Sequence, residues 1–107
     1  MDITLQEYNS WHILHLSGNI MGKEATVFKR YCEEALDSNY KYMAVDMKQV
    51  ELVDSTGLGA LIRCHQKITA AQGKLVLMRV SSKVQELLAI TSVDTLFTMV
   101  NSETELT

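Results

Sequence analysis

Val53-Asp54-Ser55-Thr56-Gly57-Leu58-Gly59-Ala60-Leu61-Ile62 is where the apolar period of the chain changes from strand-like to helix-like. The helical pattern runs on to about Ala71, with Leu58, Leu61, Ile62, His65 and Ile68 on one face and Arg63, Gln66 and Lys67 largely on the other. Ser55 stands at the change of period, so the pattern predicts it as the N-cap, its hydroxyl accepting from the Leu58 amide. The first amides of a helix lack intrahelical partners and the peptide dipoles add there, so a negative group such as a phosphate on Ser55 would sit well. Gly57 and Gly59 do not form a nucleotide loop, because no Gly-Lys-Ser/Thr follows. They read as sites of close backbone approach, for a tight turn or for a partner.

Working back towards residue 1, Tyr40–Met47 reads as a strand whose apolar second half suits a central position covered on both faces. Lys23–Leu36 reads as an amphipathic helix with Val27, Phe28, Tyr31, Cys32, Ala35 and Leu36 on its apolar stripe. Ile3–Tyr8 and Trp11–Leu16 form a hairpin about Asn9-Ser10. Working forward, Gly73 is placed for the left-handed position closing the helix, and Lys74–Val80 is a strand. Ser82 and Gln85 have capping-box spacing before a short helix to about Ile90, a last strand lies around Leu96–Val100, and Asn101–Thr107 is a polar tail expected to fray. The order strand, strand, helix, strand, helix, strand, helix, strand predicts an α/β fold: one domain over residues 1–107, a mixed sheet with an N-terminal hairpin, and helices packed mainly on one side. The loop at Asp54 lies beyond the carboxyl end of a strand, where such sheets carry their functional groups.

Composition narrows the function. The chain has 107 residues, 47% of them hydrophobic and 21% charged, with no proline, which suits one compact core and no linker. A formal net charge of -3 argues against a nucleic-acid binder, which needs a basic face to displace phosphate counterions, and points to a protein partner. Cys32 and Cys64 are spaced unlike a metal clip or redox pair and read as core residues in a reducing, cytoplasmic setting. No apolar run approaches the roughly 20 residues that span a bilayer. His12 and His15 point to opposite faces of a strand and His65 lies on an apolar stripe, so packing is the expectation for all three, with no metal and no cofactor. No Ser, His and Asp set and no carboxylate pair assembles into a catalytic site, and no enzyme activity is expected.

The strand Met43–Met47, the run Asp54-Ser55-Thr56-Gly57-Leu58-Gly59 and the helix through Ile68 resemble the signature of the anti-anti-sigma-factor family, the STAS domains. The Leu16-Ser17-Gly18 turn and the block from Gly73-Lys74-Leu75 to Val84, Leu87 and Leu88 resemble the family as well, so the likeness extends over nearly the whole chain. In the simple bacterial members, the serine after the aspartate is phosphorylated by a serine kinase that is also an anti-sigma factor, which carries over to Ser55. The resemblance implies an anti-sigma factor antagonist that binds this kinase when unphosphorylated, frees a sigma factor, and is reset by a serine phosphatase. Asp54, Ser55, Thr56, Gly57 and the loop Asn19, Ile20 and Met21 are the partner-binding residues it implies. Members of this type usually have an acid three positions after the glycine of the second-strand turn, and here Met21 stands there. The chain looks like a stand-alone module, without the spans of anion transporters that carry a related domain.

Three readings follow. In the first, Ser55 is the acceptor of a phospho-switch, with Thr56 a first-turn residue and Asp54 either orienting the loop or contacting a base on the partner. In the second, the Ile20-Met21 loop and the helix start form a site for a small molecule or lipid headgroup in an accessory subunit of a transport or signalling complex. In the third, Ser55 is only a cap in a structural subunit.

Overall fold

The computed structural model describes residues 1–107. Strands β1 (Asp2–Tyr8) and β2 (Trp11–Ser17) form the hairpin, with Tyr8 opposite Trp11 and Asn9 taking the left-handed backbone of the turn. Helix α1 (Lys23–Asp37), strand β3 (Tyr42–Gln49), helix α2 (Ser55–Ala70), strand β4 (Lys74–Met78), helix α3 (Ser82–Ile90) and strand β5 (Thr98–Val100) follow. The sheet order is β1-β2-β3-β4-β5, antiparallel in the hairpin and parallel thereafter. Each parallel step moves one strand further in the same direction, and right-handed crossovers then put every helix on the same face. The mixed sheet with one-sided helices expected from the sequence is the fold observed.

Two apolar clusters lie on the two faces of the sheet. The larger joins Leu14, Leu16, Met43, Val45, Met47, Leu75 and Leu77 to the buried sides of the helices, including Phe28, Leu61 and Leu88. Cys32 and Cys64 lie in it, buried and unbridged between α1 and α2. A hydrogen bond to Cys64, and burial, push the Cys32 thiol up, which keeps it a thiol and makes it inert. The smaller cluster lies on the face without helices: Trp11, Ile13, Ala44, Val76 and Met78, closed over by Leu106. Asn101–Thr107 thus carries a contact with the sheet. A Ser102–Glu105 capping box shapes a single 3-10 turn at Glu103–Glu105, and Leu106 is set down on the sheet.

Several local expectations shift. Val27 is exposed, and Ala25, Phe28, Cys32 and Ala35 form the buried stripe of α1. Arg79 adopts φ 55, which ends β4 at Met78 and turns the chain early, so Ser81 rather than Ser82 caps α3, accepting from the Val84 amide at 3.2 Å. Gln85 correspondingly donates to the Val80 carbonyl instead of closing a box with Ser82. Gln72, at φ 65, takes the left-handed position after α2. Gly73 is required for a different reason, since a Cβ there would lie 2.2 Å from the Lys41 carbonyl oxygen. Residues Asp94–Leu96 form a 3-10 turn, so the last strand begins only at Thr98.

Candidate partner-binding site

The site is a junction of two loops at the carboxyl end of the sheet. After β3 the chain turns through Val50, whose amide donates to the Met47 carbonyl at 3.0 Å, and reaches Val53, which makes a parallel bridge with Ile20 from the loop after β2. The Ile20 amide donates to the Leu52 carbonyl at 3.1 Å and the Asp54 amide to the Ile20 carbonyl at 3.3 Å. Asn19 strengthens the join, its side-chain oxygen accepting from the Glu51 and Leu52 amides at 3.1 and 3.0 Å. Ile20 is fully buried, so it pins the two loops together and does not offer the surface contact expected of it. Its neighbour Met21 does, being 39% exposed, and Leu52, which the sequence reading passed over, is 41% exposed.

Asp54, not Ser55, is the N-cap of α2. It has the extended backbone of a cap, and its Oδ1 accepts from the Gly57 amide at 2.7 Å. Its Oδ2 accepts from the Gly22 amide at 3.0 Å, so one carboxylate starts the helix and ties the Met21 loop to it. Serine and aspartate are both good caps, but only the aspartate has a second acceptor for Gly22, and its charge is favoured by the helix dipole. Asp54 is thus an orienter of the loop. Gly57 completes the join: a Cβ there would fall 1.8 Å from the Ile20 carbonyl oxygen, so its close approach is to the chain's own loop.

The shift of the cap by one residue changes what Ser55 is. It is the first residue of α2 and exposed, as is Thr56, and its side chain has no part in the cap. Asp54 binds Gly57 and Gly22, Asn19 binds Leu52, and Ile20 bridges Val53, so the loop that carries Asn19, Ile20 and Met21 is joined to the start of α2, where Ser55 and Thr56 follow the cap.

A second polar cluster lies on the other face of the sheet, outside this junction. Asp46, buried in β3, accepts from Arg79 through two nitrogens, one of them Nε at 3.1 Å, from His15 Nδ1 at 2.6 Å and from the Lys48 amide at 3.1 Å. His15 Nε2 lies 2.6 Å from the side-chain oxygen of Gln6, whose nitrogen donates to Glu103 at 3.2 Å. Burial pushes the Asp46 carboxyl up, but the hydrogen bonds from Arg79, His15 and Lys48 outweigh it and hold it below the usual carboxylate value. The signal in the sequence was an acid in the middle of an apolar strand.

The sequence model of the STAS domain matches residues 2–106. The chain belongs to the STAS domain family. It is similar to the anti-sigma-B factor antagonist of Listeria monocytogenes, 26% identical over 107 residues, which covers 99% of this chain and 94% of that one. The fold matches the crystal structure of a Thermotoga maritima protein provisionally described as an anti-sigma factor antagonist, with a TM-score of 0.87, 24% identity, and coverage of 96% of this chain and 89% of that one. It also matches the Bacillus cell fate determinant SpoIIAA in its phosphorylated form, at a TM-score of 0.73 and 12% identity, covering 96% of this chain and 95% of that one. No helix of this STAS domain is long and apolar enough to cross a membrane.

Proposed function

We propose that this STAS domain is an anti-sigma factor antagonist, a binding protein and not an enzyme, whose partner is an anti-sigma serine kinase and whose switch is Ser55. The observation that carries the reading is the exposure of Ser55 at the first position of α2, on a junction that also exposes Met21 and Leu52, while the Asp54 carboxylate is engaged as the cap. The antagonist names of the relatives agree with it. Unphosphorylated, the domain binds the kinase and frees the sigma factor. The kinase then transfers the terminal phosphoryl of ATP to Ser55 Oγ, the hydroxyl proton departs, ADP is released, and a serine phosphatase later restores the hydroxyl by hydrolysis.

The switch follows from charge. A phosphate adds nearly two negative charges next to the Asp54 carboxylate. An interface fitted to a neutral hydroxyl must desolvate that charge, and a loss of about 1.4 kcal/mol is already tenfold in affinity. Within the domain, the Ser55 and Thr56 amides lack intrahelical acceptors and can solvate the phosphate, so the fold has no reason to change. The test is intact-mass measurement after incubation with ATP and a candidate anti-sigma serine kinase from the same organism. Wild type is expected to gain one phosphoryl mass and Ser55→Ala none; no gain in wild type, or an equal gain in the variant, refutes Ser55 as the acceptor.

A further inference from the structure

Beside the Ser55 turn, α1 and α2 leave an open groove of about 280 Å³ lined by Ala25, Thr26, Lys29, Thr56, Gly59 and Arg63, with Ala60 in its floor. Both of its charged residues are basic, and neither Lys29 nor Arg63 forms an ion pair in the chain. Glu33, further along the same crevice, is hydrogen-bonded to Lys67 and lies in the field of Lys29 and Arg63 as well, which together hold its carboxyl below the usual carboxylate value, so one carboxylate faces three cations and a net positive charge remains. In a chain with a net charge of -3, this is a local excess of positive charge.

Gly59 supplies an independent observation. Glycine inside a helix is destabilising relative to alanine, because it loses more backbone freedom on folding. Gly57, two residues earlier, has an internal reason, the Ile20 carbonyl; Gly59 has none, since a Cβ there would meet nothing within 4 Å. Its missing side chain opens the groove to the outside and to nothing in the chain. The residue that weakens α2 is the one that leaves room for another molecule.

We infer that the Lys29–Gly59–Arg63 groove is a docking groove for an acidic segment of the partner that acts on Ser55. The inference rests on the kinase-binding reading above and names the chemistry of the partner's contact. Two unpaired cations over a floor of glycine and alanine fit carboxylate side chains carried on a closely approaching backbone, and the groove holds the partner against the first turn of α2. Charged rims of this kind set encounter rate and partner choice, and their contribution falls as salt rises.

The test is calorimetric titration of the full chain with the serine kinase found to phosphorylate Ser55, at low and high salt. Wild type is expected to bind, more weakly as salt rises. Lys29→Glu with Arg63→Glu is expected to weaken binding roughly tenfold or more, as reversal of a charged contact does. Gly59→Ala is expected to raise the melting temperature and yet weaken binding several-fold, a combination that a purely structural glycine would not give. If wild type binds and neither variant binds more weakly, the groove is overturned and the kinase reading stands. If folded wild type does not bind, the kinase reading fails and the groove falls with it. Salt-sensitive self-association of the chain that is abolished by the charge reversal would make the occupant a second copy, which also overturns the proposal. Since Arg63 is exposed and Lys29 half-buried, Arg63→Ala serves as the milder variant if the double reversal unfolds the domain.

Discussion

The Asp54 carboxylate accepts from the Gly22 amide at 3.0 Å across 32 residues of sequence, while its other oxygen caps α2 through Gly57. One side chain therefore sets both the helix start and the position of the Met21 loop. Asp54→Ala is expected to lose about 1–2 kcal/mol by urea denaturation, the scale of a good cap. Ser55→Ala, at an exposed position outside the cap, is expected to stay within about 0.5 kcal/mol of wild type. A Ser55→Ala loss equal to that of Asp54→Ala would return the cap to Ser55.

The Asp46–Arg79 pair predicts how stability depends on acid. The folded carboxyl titrates below its unfolded value of about 3.9, so its contribution is complete above that pH and is lost as pH falls through the folded value. Glu33 is shifted the same way by Lys67, so the contribution of Asp46 is read as a difference. Urea midpoints of wild type and Asp46→Asn, measured from neutrality down to about pH 2.5, are expected to converge below about pH 4. A gap that stays constant across that range refutes the assignment.

How far these features could be read from the sequence depends on their range along the chain. The strand and helix order was legible because each element carries its own period, and the one-sided helices follow from crossover handedness together with a strand order that always advances in the same direction. The caps were legible only to within one residue. Asp54-Ser55 and Ser81-Ser82 each put two competent capping side chains in tandem, and the choice between them is made elsewhere: by Gly22 and Ile20 in the first case, by the left-handed turn at Arg79 in the second. Ile20 looked like a surface residue because nothing local reveals its bridge to Val53. The Asp46–Arg79 pair, 33 residues apart, leaves no periodic trace.

Leu106 is the extreme case, a single apolar residue in a polar tail that covers the second core cluster. Leu106→Ala is expected to cost about 2–3 kcal/mol, the lower part of the range for truncating a buried leucine, because the tail can partly close the gap. Trp11, the only tryptophan, lies in the same cluster, so its emission should move to longer wavelength in the folded variant. An unchanged urea midpoint together with unchanged emission would show that the tail does not cover Trp11 in solution.

The last prediction separates a switch of surface from a switch of fold. Ser55→Asp places a carboxylate at the first position of α2, next to Asp54. The helix dipole favours an added negative charge by about 0.3–1 kcal/mol, and repulsion from the Asp54 carboxylate opposes it. Both groups reach solvent, so the two effects are expected to leave the urea midpoint nearly unchanged. In the proposed switch, binding to the serine kinase has no such compensation, because a surface fitted to a hydroxyl would have to desolvate the new charge. Affinity is therefore expected to fall about tenfold or more, from a penalty of only about 1.4 kcal/mol. Amide spectra of the free variant should change in the first turn of α2 and the Gly18–Gly22 loop, which share the Asp54 clamp, and not around Asp46 on the far face of the sheet. A variant that binds the kinase as wild type does refutes the charge switch, and one whose spectrum changes throughout the sheet shows that the switch acts through the fold.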